Sequence, residues 1–155
     1  MINEGDITDG VFNCPVYNYG KIQGGAFTQN VFNEADSDYT GTIAGGTFSG
    51  PAVRNAASAG IEGGTFQSHL YNYGDVSEGV FTGQVTNEGK LKGGTFGSAP
   101  QGQSAKAKNG ADALVNKQTI SGGTYYVPVT NYGSCASSCP AAYLCPAGRR
   151  TRMVW

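Results

Sequence analysis

The sequence predicts an all-β protein, a single parallel β-solenoid of about seven to eight 15-residue coils with two loop insertions and a Cys-containing C-terminal segment. Three observations predict it. Within the unit V-x-N-x-G-x-I-x-G-G-x-F-x-x-x, Asn holds position 3 as Asn3, Asn18, Asn33, Asn55, Asn72, Asn87, Asn116 and Asn131. Position 10 is Gly in seven copies, from Gly10 to Gly123, and an aromatic follows two residues later, from Phe12 to Tyr125. The inward residues of the unit are spaced 2, then 4, then 5 apart, which fits no helical period of 3.6.

Each element of the unit follows from this spacing. In "VYNY", Val16 and Asn18 face inward while Tyr17 and Tyr19 face outward; in "KIQ" only Ile22 is inward, and in "AFT" only Phe27 is. Three short strands therefore make one coil. Glycines at positions 5, 9 and 10 fall at the corners, where positive φ or close backbone approach is needed. Coils stacked in parallel at about 4.8 Å would give a rod of roughly 35 Å. One unit cannot bury its own Phe and Ile, so the core exists only when the phrase is repeated. At position 6 this register sets Asp6 beside Lys21 and Asp75 beside Lys90, opposite charges worth about 0.2–1 kcal/mol per pair. The inward Asn column is expected to be structural, its amides satisfying one another and the corner backbone.

The phrases "VTNEGKLKGGTF" and "VYNYGKIQGGAF" resemble the Gly-rich VxNxGxIxGGTF repeats of large secreted or surface-attached bacterial proteins, especially those of gut-dwelling species. The resemblance covers residues 1 to about 133. It implies a secreted or cell-surface structural role and brings no catalytic residues with it.

The solenoid domain spans 2–133, with insertions near 35–41 and 97–113, and residues 134–155 form a C-terminal cap or tail. In "NEADSDYTGTI", Asp36, Asp38, Thr40 and Gly41 match the opening of a calcium loop, with Asp36, Asp38 and Thr40 as candidate ligands. The twelfth residue is Thr47 rather than a bidentate Glu, so a solvated polar turn is the expected form, with calcium as the alternative and no other cofactor expected. The second insertion, "GSAPQGQSAKAKNGADAL", has the composition of a flexible excursion, with room for a short helix over Ala105–Lys108. Cys135, Cys139 and Cys145 are disulfide candidates for one local bridge. Cys14 lies in the first coil, too far along the rod to complete a zinc site with them.

Composition excludes several classes of function. The 155 residues include 25 Gly and only 14% charged residues, with 10 Lys plus Arg against 11 Asp plus Glu. No field exists to hold nucleic acid or an anionic membrane, and Arg149, Arg150 and Arg152 read as a solvated tail. No apolar run is long enough for membrane insertion. The chain opens "MINEGDITDG" without a signal-peptide pattern, so export requires a signal already removed or lying upstream. His69 is the only histidine and accompanies no nucleophile motif. Glu34, Asp36 and Asp38 are the one dense acidic group and have no basic partner nearby in sequence, so no enzyme is expected.

What remains is binding by faces and loops. Tyr17, Tyr19, Tyr71 and Tyr73, with Tyr132, decorate one face, where rings can stack on sugars. The expected function is a structural or adhesive module at a secreted or cell-surface location, a rigid rod contacting glycan or protein. The rival is ice binding on a third face carrying Thr47, Thr65, Thr95 and Thr124; a polysaccharide-active β-helix enzyme is a more distant alternative. Solenoid ends expose unpaired strand edges, so end-to-end self-association is a further expected contact.

Overall fold

Strands of two to four residues cannot hold alone, and they persist here because each coil lays three of them on the coil before. The computed structural model describes residues 1–98, 114–136 and 143–144. Among these, three parallel sheets of nine, eight and seven strands form a β-solenoid of about eight coils, and no helix is present. Coils are numbered here by their position-3 Asn, from Asn3 in coil 1 to Asn131 in coil 8. Ser134–Cys135 closes the second sheet and Tyr143–Leu144 the first. Most of the second insertion, with the Ala105–Lys108 segment, lies outside the described residues, as do Cys139, Cys145 and the arginine tail.

Register follows the repeat, like on like. Asn3 pairs with Asn18, Ile7 with Ile22 and Phe12 with Phe27, and the match continues up the rod. Inside lie three apolar columns: Val16, Val53 and Leu70 belong to the first, Ile22, Ile61 and Leu91 to the second, and Phe27, Phe66 and Phe96 to the third, all fully buried. The rings from Phe12 to Tyr125 stack with centroids 4.6–4.9 Å apart. That separation is the strand spacing itself, so ring stacking and backbone pairing enforce each other.

The Asn column is buried beside this core. Each Nδ2 donates to the Oδ1 of the next Asn at 2.6–2.8 Å, from Asn3 through to Asn131. The same nitrogens also donate to corner carbonyls, as Asn18 does to Gly20 at 3.0 Å and Asn72 to Gly74 at 2.9 Å. Among the described residues no buried side-chain polar atom lacks a partner, which is what allows a polar column inside a rod.

Glycine serves two different purposes at the corners. Position 10 has positive φ, for example +105° at Gly64, which an L side chain rarely adopts. Position 5 has no such φ; there a side chain would strike the preceding coil. A Cβ on Gly74 would fall on the Ala59 and Ala56 carbonyls and on Asn55 Nδ2, whereas at Gly5 it would meet nothing within 4 Å. Gly74→Ala is therefore expected to cost about 3 kcal/mol, and Gly5→Ala less than about 0.5 kcal/mol, read from urea midpoints of the two variants.

Exposed charges keep the predicted register but choose other partners. Asp75 lies beside Lys90 in the ladder, yet its carboxylate pairs with Lys92 Nζ at 2.6 Å, one coil up and two residues along. Asp6, beside Lys21, instead accepts from Gln23 Nε2 at 3.2 Å. The diagonal contact lets a long side chain reach across one strand spacing without bending back. Such exposed pairs contribute about 0–1 kcal/mol and define the surface more than the stability.

Both coil 3 and coil 4 are enlarged at the corner between the first and second sheets. Coil 3 inserts residues 35–40, closed by an antiparallel bridge between Ala35 and Thr40. Coil 4 inserts Ala57 and Ser58: Asn55 and Gly60 are five residues apart where Asn18 and Lys21 are three. Thr40 of the first loop and Ala57 and Ser58 of the second line one pocket with residues of the second sheet.

Candidate functional site

The outer face of the first sheet brings together the tyrosines singled out in the sequence. Strand alternation points position 2 outward because positions 1 and 3 are buried as Val16 and Asn18. In the ladder this gives an unbroken row from Tyr17 through Phe32 and Arg54 to Tyr71. Tyr17 stacks on Phe32 at 4.7 Å, and Tyr71 on His69 at 4.0 Å. Position 4 adds a parallel row in which Tyr19 and Tyr73 stand three coils apart. Arg54 joins the two rows: its guanidinium donates to Glu34 Oε1 at 2.6 Å and lies over the Tyr73 ring at 5.4 Å. One face of Tyr17, Tyr71 and Tyr73 is thus taken by a neighbour, and these rings are held rather than free. Tyr17, Tyr71 and Tyr73 remain 38–42% exposed.

His69 belongs to this surface. Its Nε2 lies 3.0 Å from Thr86 Oγ1, and partial burial lowers its pKa below the ordinary imidazole value. The neutral ring is therefore favoured near pH 7, as suits packing against Tyr71. Further along the face, Lys117 donates to Glu88 at 2.7 Å, and that hydrogen bond raises the lysine pKa.

The third sheet carries the threonines differently from a regular array. At position 11, Thr47 neighbours Thr65 and Thr95 neighbours Thr124, but Val80 separates the two pairs. Two residues on, the Thr82 and Ser49 hydroxyls turn back onto the Phe66 and Phe27 carbonyls of the preceding coil. A groove of about 660 Å³ runs beside this face, past Gly10, Gly25, Gly46 and Gly64.

In the acidic insertion, Asp36 caps its own turn. Its Oδ1 accepts from the backbone N–H of Asp38 at 2.9 Å and of Tyr39 at 2.8 Å. Thr40 lies across the bridge from Ala35, and no group of three or more His, Cys, Asp or Glu converges among the described residues. Cys14 is exposed and free. Cys135 is disulfide-bonded, its partner lying outside the described residues.

A pocket over the second sheet was not apparent in the sequence. It has a volume of about 430 Å³ and lies where the coil 3 and coil 4 loops overhang the strands. Thr42, Ser58, Glu62, Lys90 and Lys92 are among the residues that line it, with Gly60 in the strand beneath. The one signal in the chain was the two-residue excess in "NAASAG", Asn55 to Gly60, small enough to pass as repeat drift.

No protein-family model, no curated protein and no solved structure matches this chain.

Proposed function

We propose that this chain is a rigid structural or adhesive module of a secreted or cell-surface bacterial protein, which contacts a glycan through the outer face of its first sheet. The observation that carries the reading is the continuous patch from Tyr17 to Tyr73, aromatic rings held by Phe32, His69 and Arg54 on a flat parallel sheet. Rings already fixed by neighbours lose little conformational freedom on binding, so an extended polymer meets a prepared surface. The coil repeat supports the same reading, because an extended β-linked sugar chain advances by nearly one strand spacing per ring. Arg54 and Glu34 add polar groups that can bond hydroxyls along such a chain. The repeated Asn, Gly and Phe columns each have a structural task, which leaves the faces and loops to carry function.

A glycan array followed by affinity electrophoresis tests this. The Tyr71→Ala, Tyr73→Ala double variant should keep the circular dichroism of the parent and lose about tenfold or more in polysaccharide affinity. Binding by the parent to no glycan or surface protein would overturn the reading. Thermal hysteresis that disappears in variants of Thr47, Thr65, Thr95 and Thr124 would establish ice binding in its place. Turnover of a polysaccharide would make the protein an enzyme.

A further inference from the structure

The pocket over the second sheet is built by departures from the repeat. Gly60 occupies position 6, where other coils carry Asp6, Lys21, Thr42, Asp75 and Lys90. Neither of the two reasons for glycine elsewhere in the rod applies to it: its φ is not positive, and a Cβ there would meet nothing within 4 Å. The missing side chain therefore serves no packing need, and its effect is to open the floor. The preceding position in this coil departs too. Position 5 is Ala59 rather than Gly, fully buried at the corner, while the inserted Ala57 and Ser58 before it are exposed and line the pocket.

The charges around this floor are distinctive. Among the described residues the ion pairs are Arg54–Glu34, Lys92–Asp75 and Lys117–Glu88. Lys92 takes up the Asp75 carboxylate, which leaves Lys90 as an exposed ammonium without an ion-pair partner, although it stands directly beside Asp75 in the ladder. Glu62, which also lines the pocket, is likewise in no ion pair among the described residues. Thr42 and Ser58 supply hydroxyls that make no hydrogen bond within the described residues. With Lys92 and Asp75 paired to each other, an unpaired lysine, an unpaired glutamate and the hydroxyls of Thr40, Thr42 and Ser58 line a polar cleft of about 430 Å³.

We infer that this pocket holds a single sugar unit bearing a carboxylate, a uronate, with Lys90 on the carboxylate and Glu62, Thr42 and Ser58 on the ring hydroxyls. The inference rests on the glycan reading above and adds to it a second subsite of defined chemistry. A neutral sugar leaves Lys90 desolvated without a partner. A phosphate brings a dianion toward Glu62 and Asp75, which repel it. A monocarboxylate whose hydroxyls donate to Glu62 satisfies both charges at once.

The test is an NMR titration of the whole chain with methyl β-D-glucuronide and, separately, methyl β-D-glucoside. The glucuronide should shift the amides of Gly60, Asp75 and Lys90 and bind at least about tenfold more tightly than the glucoside. Gly60→Thr, which places on the floor the side chain that Thr42 already carries one coil below, should melt as the parent does and lose these shifts. Lys90→Gln should bring the glucuronide down to the glucoside level, while Lys90→Arg should keep the preference. Equal binding of the two sugars, absence of binding, or an unaffected Gly60→Thr would overturn the pocket assignment. Polysaccharide retention that still depends on Tyr71 and Tyr73 would then leave the first-sheet reading standing. Conversely, glucuronide shifts at Gly60 with retention indifferent to the tyrosines would uphold the pocket and overturn that face.

Discussion

Phe66→Ala should destabilise the protein by about 3–5 kcal/mol, measured as the change in urea-unfolding free energy. Phe66 is fully buried in coil 4 and stacked on both sides, 4.6 Å from Phe48 and 4.7 Å from Phe81. Removing its ring leaves a void between two rings whose spacing is fixed by the backbone ladder, so the site cannot collapse to fill it. Phe12→Ala provides the control. Its ring is half-buried and has a stacking neighbour on one side only, at 4.8 Å, so its loss should cost clearly less. Equal costs at the two positions would mean that the stack does not act as a column.

Asn72→Ala should cost a similar amount, about 3–4 kcal/mol, through lost hydrogen bonds more than lost volume. The amide receives Asn55 Nδ2 at 2.8 Å and donates to Asn87 Oδ1 at 2.7 Å and Gly74 O at 2.9 Å. Truncation leaves the Gly74 carbonyl buried without that donor and interrupts the column on both sides. Asn72→Asp separates charge from shape. A carboxylate cannot donate to Asn87 Oδ1, so burial and acceptor-on-acceptor repulsion raise its pKa in the folded state. With the folded value above the unfolded one of about 3.9, the penalty is absent below that pH and grows as pH rises toward the folded value. Stability of Asn72→Asp relative to the parent should therefore recover in acid, as followed by thermal melts from pH 7 down to pH 3.

Much of the fold was legible because the repeat is written in residues with stringent backbone or packing demands. A column of Asn, a Gly that must take positive φ and a Phe that must be covered leave few alternatives to stacked coils. The outward placement of Tyr17 and Tyr71 was legible for the same reason, since Val16 and Asn18 bracket the first and Leu70 and Asn72 the second. What escaped depended on longer reach. That Asp75 would choose Lys92 over its ladder neighbour Lys90 is decided by side-chain length across a strand spacing, which register alone does not reveal. Phe32 and Arg54 share position 2 with Tyr17 and Tyr71 in the Asn alignment, but that Arg54 would reach Glu34 and the Tyr73 ring depends on side-chain length, which the alignment does not reveal. The pocket was least visible, because its floor is marked by a glycine in a chain with 25 of them, and its wall by two extra small residues.

The asparagine column also has a direction. Every link runs the same way, Nδ2 of one coil to Oδ1 of the next, so the amide dipoles from coil 1 to coil 8 add rather than cancel. The row opens at Asn3 Oδ1, an acceptor that no donor reaches among the described residues, and in each link the N–H that joins two amides points toward Asn131. The rod is therefore an arrow rather than a symmetrical bar. Another coil could extend the row at Asn3 only by presenting an amide donor in the same sense, whereas a reversed copy would bring oxygen against oxygen. Any assembly through that end is vectorial, with each added unit inheriting the heading of the one before.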